Sequence, residues 1–320
     1  MWVPVLSLIF GFILLVWSAD RFLTGAAATA SNLGVSKMLI GLTVVSVGTS
    51  APEILVALAA SIEGNPMLAV GNAIGSNIAN IGLVLGITAV IAPLPFSPSV
   101  LKSELPWLLA ATVLAIVLLF DLYLSPLDGI ILLSSLALIL YRLTTNQKRH
   151  PDVIVESIQD ELDELPSMNN KQAIIWLVIG LVILLLSAEL LVWAATKIAV
   201  GLGVSDLIIG LTVVAVGTSL PELAATLGAA VKGHSDIAIG NIVGSNMLNI
   251  LAVLAVPALV HPTALDTALV WRDSGMMLAL TLLLILFAFG LHSRPVITRF
   301  EGIVMVLAWL GYMTMLAMGG

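Results

Sequence analysis

The 320-residue chain has no cysteine, which excludes disulfide staples and thiolate metal sites. Charge is nearly as scarce: Lys, Arg, Asp and Glu make up 10% of the residues, against about 25% in a soluble domain. That shortage excludes a water-soluble enzyme, a disordered chain and a nucleic-acid binder. Residues 1–19 contain no Lys or Arg, and the first charge is Asp20. A secretory signal opens with a basic region, so this stretch reads as a retained first span. Apolar residues fill the chain instead, at 60% with a mean hydropathy of +1.14. The expected fold class is all-α, a polytopic integral membrane protein. The formal charge of -7 is largely a property of one segment, because residues 142–171 hold ten of the 31 charges and six of those ten are acidic.

A membrane helix needs about 20 mostly apolar residues. On that criterion ten spans begin near Val3, Lys37, Met67, Leu105, Pro126, Gln172, Asp206, Asp236, Ser274 and Gly302. Short connections with turn residues join most of them, such as Glu63-Gly64-Asn65-Pro66 and His261-Pro262. The exception is 142–171, read as a solvated acidic linker between a first five-helix repeat (residues 1–141) and a second (residues 172–320).

The halves align at a single offset of 169 residues. Leu39 to Ala60 (LIGLTVVSVGTSAPEILVALAA) and Ile208 to Ala229 (IIGLTVVAVGTSLPELAATLGA) share 14 of 22 positions. Ala69 to Asn80 (AVGNAIGSNIAN) and Ala238 to Asn249 (AIGNIVGSNMLN) share seven of 12. The same offset maps Asp20 onto Glu189 and Glu104 onto Asp273. Five spans per repeat is an odd number, so the second copy enters the bilayer from the opposite face, an inverted-topology plan common in secondary transporters. Ten of the twelve Lys and Arg residues fall in the loops after odd-numbered spans. The positive-inside rule makes that face cytoplasmic and puts both termini outside.

Two acids lie deep in apolar spans: Glu53 and Glu222. A charge at the bilayer centre costs about 2.5 to 3.5 kcal/mol even on the lenient insertion scale. No Lys, Arg or His shares either span, so a dissolved cation or a proton is the expected partner. Each acid ends a Gly-Thr-Ser-x-Pro-Glu segment, with Thr49, Ser50 and Pro52 in one copy and Thr218, Ser219 and Pro221 in the other. Proline removes an amide hydrogen and frees a carbonyl one turn earlier, and irregular backbone at membrane depth is tolerated where it lines a cavity. An ordinary proline kink would not account for a buried Glu one residue later, twice. Carboxylate, hydroxyl and carbonyl oxygens together suit Ca2+ or Na+ and not soft metals. On the next span Asn72, Ser76 and Asn80 recur every four residues along one face, mirrored by Asn241, Ser245 and Asn249. Gly71, Gly75, Gly240 and Gly244 permit close helix packing. If both faces converge, two negative charges and a ring of neutral oxygens would be balanced by one Ca2+ or two Na+.

The paired GTSxPE and GNxxGSNxxN segments resemble the two alpha repeats of the cation/calcium exchanger superfamily, specifically compact prokaryotic sodium/calcium exchangers. The resemblance covers both halves. It implies ten helices, a central site on spans 2, 3, 7 and 8, and counter-transport of Ca2+ against Na+ by alternating access. It also implies that spans 1 and 6 are long tilted helices that slide across the rest. Carried over by position, Glu53 and Glu222 match the calcium-binding acids, with backbone carbonyls from Thr49 and Thr218. Ser50, Ser76, Ser219 and Ser245 match hydroxyl ligands of Na+, joined by carbonyls of Ser46 and Ala215, and Asn80 matches a central polar ligand. At Asn249 some relatives, including potassium-dependent exchangers, have Asp. The amide implies one fewer negative charge and no K+ co-transport.

The resulting expectation is an electrogenic, K+-independent Na+/Ca2+ antiporter in the cell membrane. Its partners would be Ca2+, Na+ and the lipid bilayer, with no cofactor, no nucleic acid and no obligatory protein partner. A Ca2+/H+ antiporter is the nearest alternative, since carboxylates alone suit either coupling ion. A passive channel or a membrane scaffold would need no paired, discontinuous sites, and no enzyme motif such as H-E-x-x-H is present. Plainer roles are expected elsewhere. Thr43 and Thr212 back-bond to their own helices, Asp20 and Glu189 are solvated at the interface or, for Asp20, paired with Arg21, the acidic run 160–164 belongs to the linker, and the tryptophans mostly anchor at the interface.

Overall fold

The computed structural model describes residues 2–34, 37–97, 100–149, 168–201, 215–289 and 295–318. In chain order the helices are α1 (Trp2–Leu33), α2 (residues 37–49), α3 (Ala51–Ile62), α4 (Pro66–Ile91), α5 (Val100–Leu119) and α6 (Pro126–Arg149). They continue as α7 (Asn170–Gly201), α8 (Ala215–Thr218), α9 (Leu220–Val231), α10 (Ser235–Val260), α11 (Leu269–Phe289) and α12 (Arg299–Ala317). Eight of these are long and apolar enough to cross a bilayer, and α2 with α3 makes a ninth that is bent by 50°. The seventh expected span begins at Asp206. Residues 202–214 lie outside the described residues, and so do most of the expected linker and Thr212.

Burial sorts the helices into centre and rim. The apolar windows of α4 and α10 are 78% and 83% buried, against 22% to 39% for the other long helices. A helix in contact with lipid must be apolar outward, whereas α4 and α10 can carry their Asn, Ser and Gly residues because protein surrounds them. Several helices start earlier than hydropathy alone indicates. α5 begins with a wide π-helical turn, Val100–Glu104, and α11 with its mirror turn, Leu269–Asp273. Their polar residues had hidden those starts, yet Glu104 is buried. α12 opens on a capping box in which Thr298 and Glu301 exchange hydrogen bonds.

α1 and α7 have 32 residues each, about 48 Å of helix, well beyond a hydrocarbon core of about 30 Å. They pack antiparallel along much of their length, and the contact is itself mirror-related. Gly11 and Gly180, 169 residues apart, face Leu191 and Phe22, also 169 apart. A Cβ on Gly180 would stand 2.5 Å from the Phe22 amide nitrogen, so the two backbones touch there.

The duplication extends into the last helices at a shifted offset. Gly129 packs on Ala258 and Leu259, while Gly302 packs on Ala89 and Val90. The contacted pairs keep the offset of 169, but the glycines lie 173 apart. The connection before α12 is therefore four residues longer than its counterpart before α6. Ser125 and Asp128 cap α6 as Thr298 and Glu301 cap α12, again 173 apart.

Four two-residue strands qualify the all-helical expectation. β1 (Leu94–Pro95) pairs antiparallel with β4 (Val296–Ile297), and β2 (Tyr123–Leu124) pairs with β3 (Thr263–Ala264). Each bridge joins a loop of one repeat to a loop of the other and satisfies backbone groups there.

Candidate cation site

The Gly-Thr-Ser-x-Pro-Glu segments do not form kinked helices. Each ends one helix and starts another. Ser50 (φ -85°, ψ 7°) and Ser219 (φ -89°, ψ 4°) leave the helical conformation, and Pro52 and Pro221 take places in the first turns of α3 and α9. Proline is well suited there, since its missing N–H would have no partner in a first turn. Glu53 and Glu222 follow in the same turns, where the positive helix terminus favours a carboxylate.

Both carboxylates point inward. Glu53 is 1% exposed and Glu222 is 0% exposed. No ion pair among the described residues involves either. Three hydrogen bonds stitch the repeats together around them. Ser50 Oγ donates to Glu222 Oε1 at 3.0 Å, Thr49 Oγ1 donates to Asn241 Oδ1 at 3.1 Å, and Asn80 Nδ2 donates to Asn246 Oδ1 at 3.1 Å. Within the first repeat, Asn72 Nδ2 donates to the main-chain oxygen of Glu53 at 3.2 Å.

A set of oxygens is buried without any hydrogen-bond partner: Glu53 Oε2, Glu222 Oε2, Ser219 Oγ, Ser245 Oγ, Asn80 Oδ1 and Asn249 Oδ1. Each such group costs about 1 to 3 kcal/mol, more when charged. A gathering of acceptors from two carboxylates, two hydroxyls and two amides suits a hard cation. Among the described residues no three of His, Cys, Asp and Glu come together, so any cation here would meet two acids and neutral oxygens.

The remaining expected residues are placed less directly. Ser76 is buried beside Asn80 on α4. The Ser46 hydroxyl turns back to Leu42 O at 2.6 Å, and its carbonyl accepts from Ser50 N at 2.9 Å. Thr218 is half-buried at the end of α8, and Ala215 starts that helix. Thr43 bonds to Leu39 O at 2.6 Å, as expected of a back-bonding hydroxyl.

Some placements were not anticipated. Asp20 forms the expected pair with Arg21, at 4.0 Å, but lies closer to Lys232, at 2.5 Å, and the Arg21 guanidinium also stacks over Trp176 and Trp17. Asn77 and Asn246 are buried beside the serines of the GSN motifs. Their signal was present, since both match across the repeats, but they fall off the four-residue stripe. Thr226, fully buried, accepts from Asn241 Nδ2 at 2.9 Å. Comparison of the repeats hides it, because its equivalent is Ala57. Asn80 and Asn249 each open a π-helical turn, Asn80–Leu85 and Asn249–Val253. Such widened turns recur at functional sites.

The sodium/calcium exchanger protein family model matches residues 3–145 and 172–318. The chain is 45% identical to the putative antiporter CaxA of Alkalimonas amylolytica over 99% of both chains. It is 31% identical to the sodium/calcium exchanger MaX1 of Methanosarcina acetivorans over 98% of both. Among solved structures, the sodium-calcium exchanger NCX_Mj soaked with zero Na+ and Ca2+ superposes with a TM-score of 0.81 at 34% identity, covering 98% of each chain. With both repeats matched and the fold shared over nearly its full length, the chain belongs to the sodium/calcium exchanger family of multi-pass membrane transporters, and not to an enzyme family.

Proposed function

We propose that the protein is a Na+/Ca2+ antiporter of the cell membrane that works by alternating access, electrogenically and without K+. The observation that carries this reading is the pair of buried glutamates, with Glu222 accepting from Ser50 of the other repeat, together with buried, unpartnered neutral oxygens from both repeats. Ca2+ would take the Glu53 and Glu222 carboxylates and the Thr49 and Thr218 carbonyls. Na+ would use the hydroxyls of Ser50, Ser76, Ser219 and Ser245 and the carbonyls of Ser46 and Ala215, with Asn80 and Asn249 at the centre. Because the two sets overlap, occupancy by one ion excludes the other, and that competition couples their fluxes. Names of relatives as sodium/calcium exchangers support the choice of ions. The neutral Asn249 supports independence from K+.

The length of α1 and α7 and their mutual contact support a unit that slides across the remaining helices. Lys and Arg placement supports extracytoplasmic termini, with residues 142–171 linking the repeats on the cytoplasmic face. If more than two Na+ enter per Ca2+, each surplus charge crossing about 100 mV contributes about 2.3 kcal/mol to Ca2+ extrusion. The test is radiocalcium flux in proteoliposomes, driven first by a Na+ gradient and then by a pH gradient, in K+-free medium. Na+-driven flux that responds to membrane potential is expected. Flux driven by the pH gradient alone would transfer the protein to the Ca2+/H+ class.

A further inference from the structure

The two halves of the site match closely in residue type: Glu53 with Glu222, Ser50 with Ser219, Asn72 with Asn241 and Asn80 with Asn249. Thr226 breaks the match, because the equivalent position in the first repeat is Ala57. It stands one helical turn after Glu222 on α9 and is fully buried. Its Oγ1 accepts from Asn241 Nδ2 at 2.9 Å, and Asn241 Oδ1 accepts from Thr49 Oγ1 at 3.1 Å.

A side-chain amide donates at one end and accepts at the other. Holding the donor end of Asn241 at Thr226 turns its acceptor end to Thr49. The chain of bonds runs from α9 through α10 to α2 and so joins both repeats. Thr49 is the last residue before the break at Ser50, and Ser50 is the residue that reaches Glu222. In the mirror half Ala57 offers no acceptor, and Asn72 donates instead to the main-chain oxygen of Glu53. One helix break is thus braced by a side-chain relay that the other cannot form in the same way.

We propose that Thr226 is a positioning residue: through Asn241 it fixes the Thr49–Ser50 turn and thereby sets the Ca2+ affinity of the site without touching the ion. The proposal rests on the reading of Glu53 and Glu222 as cation ligands. Thr226→Val keeps the side-chain volume and removes the oxygen, whereas Thr226→Ser keeps the oxygen. Equilibrium binding of radiocalcium to the purified protein needs no driving ion and reads the effect directly.

Thr226→Val is expected to bind Ca2+ about fivefold more weakly, the size of one net hydrogen bond. Thr226→Ser is expected to stay within about twofold of wild type on the same scale. Maximal flux at saturating Ca2+ should change by less than about twofold in both, since the ion ligands themselves are untouched. Asn241→Ala should weaken binding like Thr226→Val, and the double variant should weaken it no further. Equal weakening by Ser and Val would overturn the relay in favour of simple packing. Unchanged binding in Thr226→Val would also overturn it, provided a Glu222→Gln control loses Ca2+. If that control binds Ca2+ like wild type, the reading of the site falls, and the proposal falls with it.

Discussion

Asp20 on α1 and Lys232 just beyond α9 form an ion pair at 2.5 Å, whereas the positions 169 residues away in each case hold two acids, Glu189 and Glu63. Lys232 also reaches Asp20 O at 3.4 Å and Thr24 Oγ1 at 3.3 Å, and Leu23 lies against Gly228 in the same contact. Two acids at the mirror-related positions could not form such a pair.

The pair is half-exposed, so its contribution is small and screened by salt, about 0.2 to 1 kcal/mol. Lys232→Gln is expected to raise hydrogen–deuterium exchange around Asp20 and Thr24 of α1 and in the last turn of α9 by up to about fivefold at low salt, with little change at high salt. The exchanged pair Asp20→Lys with Lys232→Asp should restore protection. Identical exchange in wild type and Lys232→Gln at low salt would remove any role for the pair in holding α1 on α9.

Glu53→Gln and Glu222→Gln each replace a buried charge that has an unpartnered oxygen. Ca2+ transport should be lost in both. Thermal melting in ion-free detergent should remain at or above the wild-type value, because burial of an ionised group is relieved. Melting that falls by several degrees in ion-free buffer would mean that the carboxylates hold the fold together.

Asn249 uses neither end of its amide in a hydrogen bond. Asn249→Asp therefore removes no bond and adds a third buried acid to Glu53 and Glu222. The variant should fold and bind Ca2+ at least as tightly as wild type at neutral pH, as read by radiocalcium binding. A loss of affinity would indicate that the Asn249 amide serves the bound ion better than a carboxylate does.

Gly180 and Gly11 test the α1–α7 contact with a built-in difference. A Cβ at Gly180 meets backbone at 2.5 Å, which cannot yield, whereas one at Gly11 meets the Leu191 side chain at 3.1 Å, which can rotate. Gly180→Ala should lower stability by about 1 to 3 kcal/mol and slow transport. Gly11→Ala should be close to neutral in the same melting and flux measurements. Equal tolerance of both would show that the two helices are not in backbone contact.

Much of the candidate site's buried polar set was legible because duplication wrote it twice. Glu53 and Glu222 stood out as acids in apolar spans, and Ser50, Ser219, Asn80 and Asn249 followed from motifs repeated at one offset. The proline pattern was legible only in part. It marked the interruption, but whether Pro52 bends a helix or opens a new one depends on how Ser50 leaves α2, which the packing around it sets. Asn246 and Thr226 were missed for opposite reasons: the first lay off the expected stripe, and the second had no counterpart in the other half.

Membrane residence, the ten-span expectation, the repeat and the two central acids follow from the sequence alone, because each depends on hydropathy or on local spacing within the chain. The pairing of Asp20 with Lys232, the bonds from Thr49 and Ser50 into the other repeat, and the shift from 169 to 173 before α12 were decided by tertiary structure. Those features join residues up to 212 positions apart. Their partners are chosen by how two folded halves dock, and hydrogen bonds a few ångströms long register that docking where residue order does not.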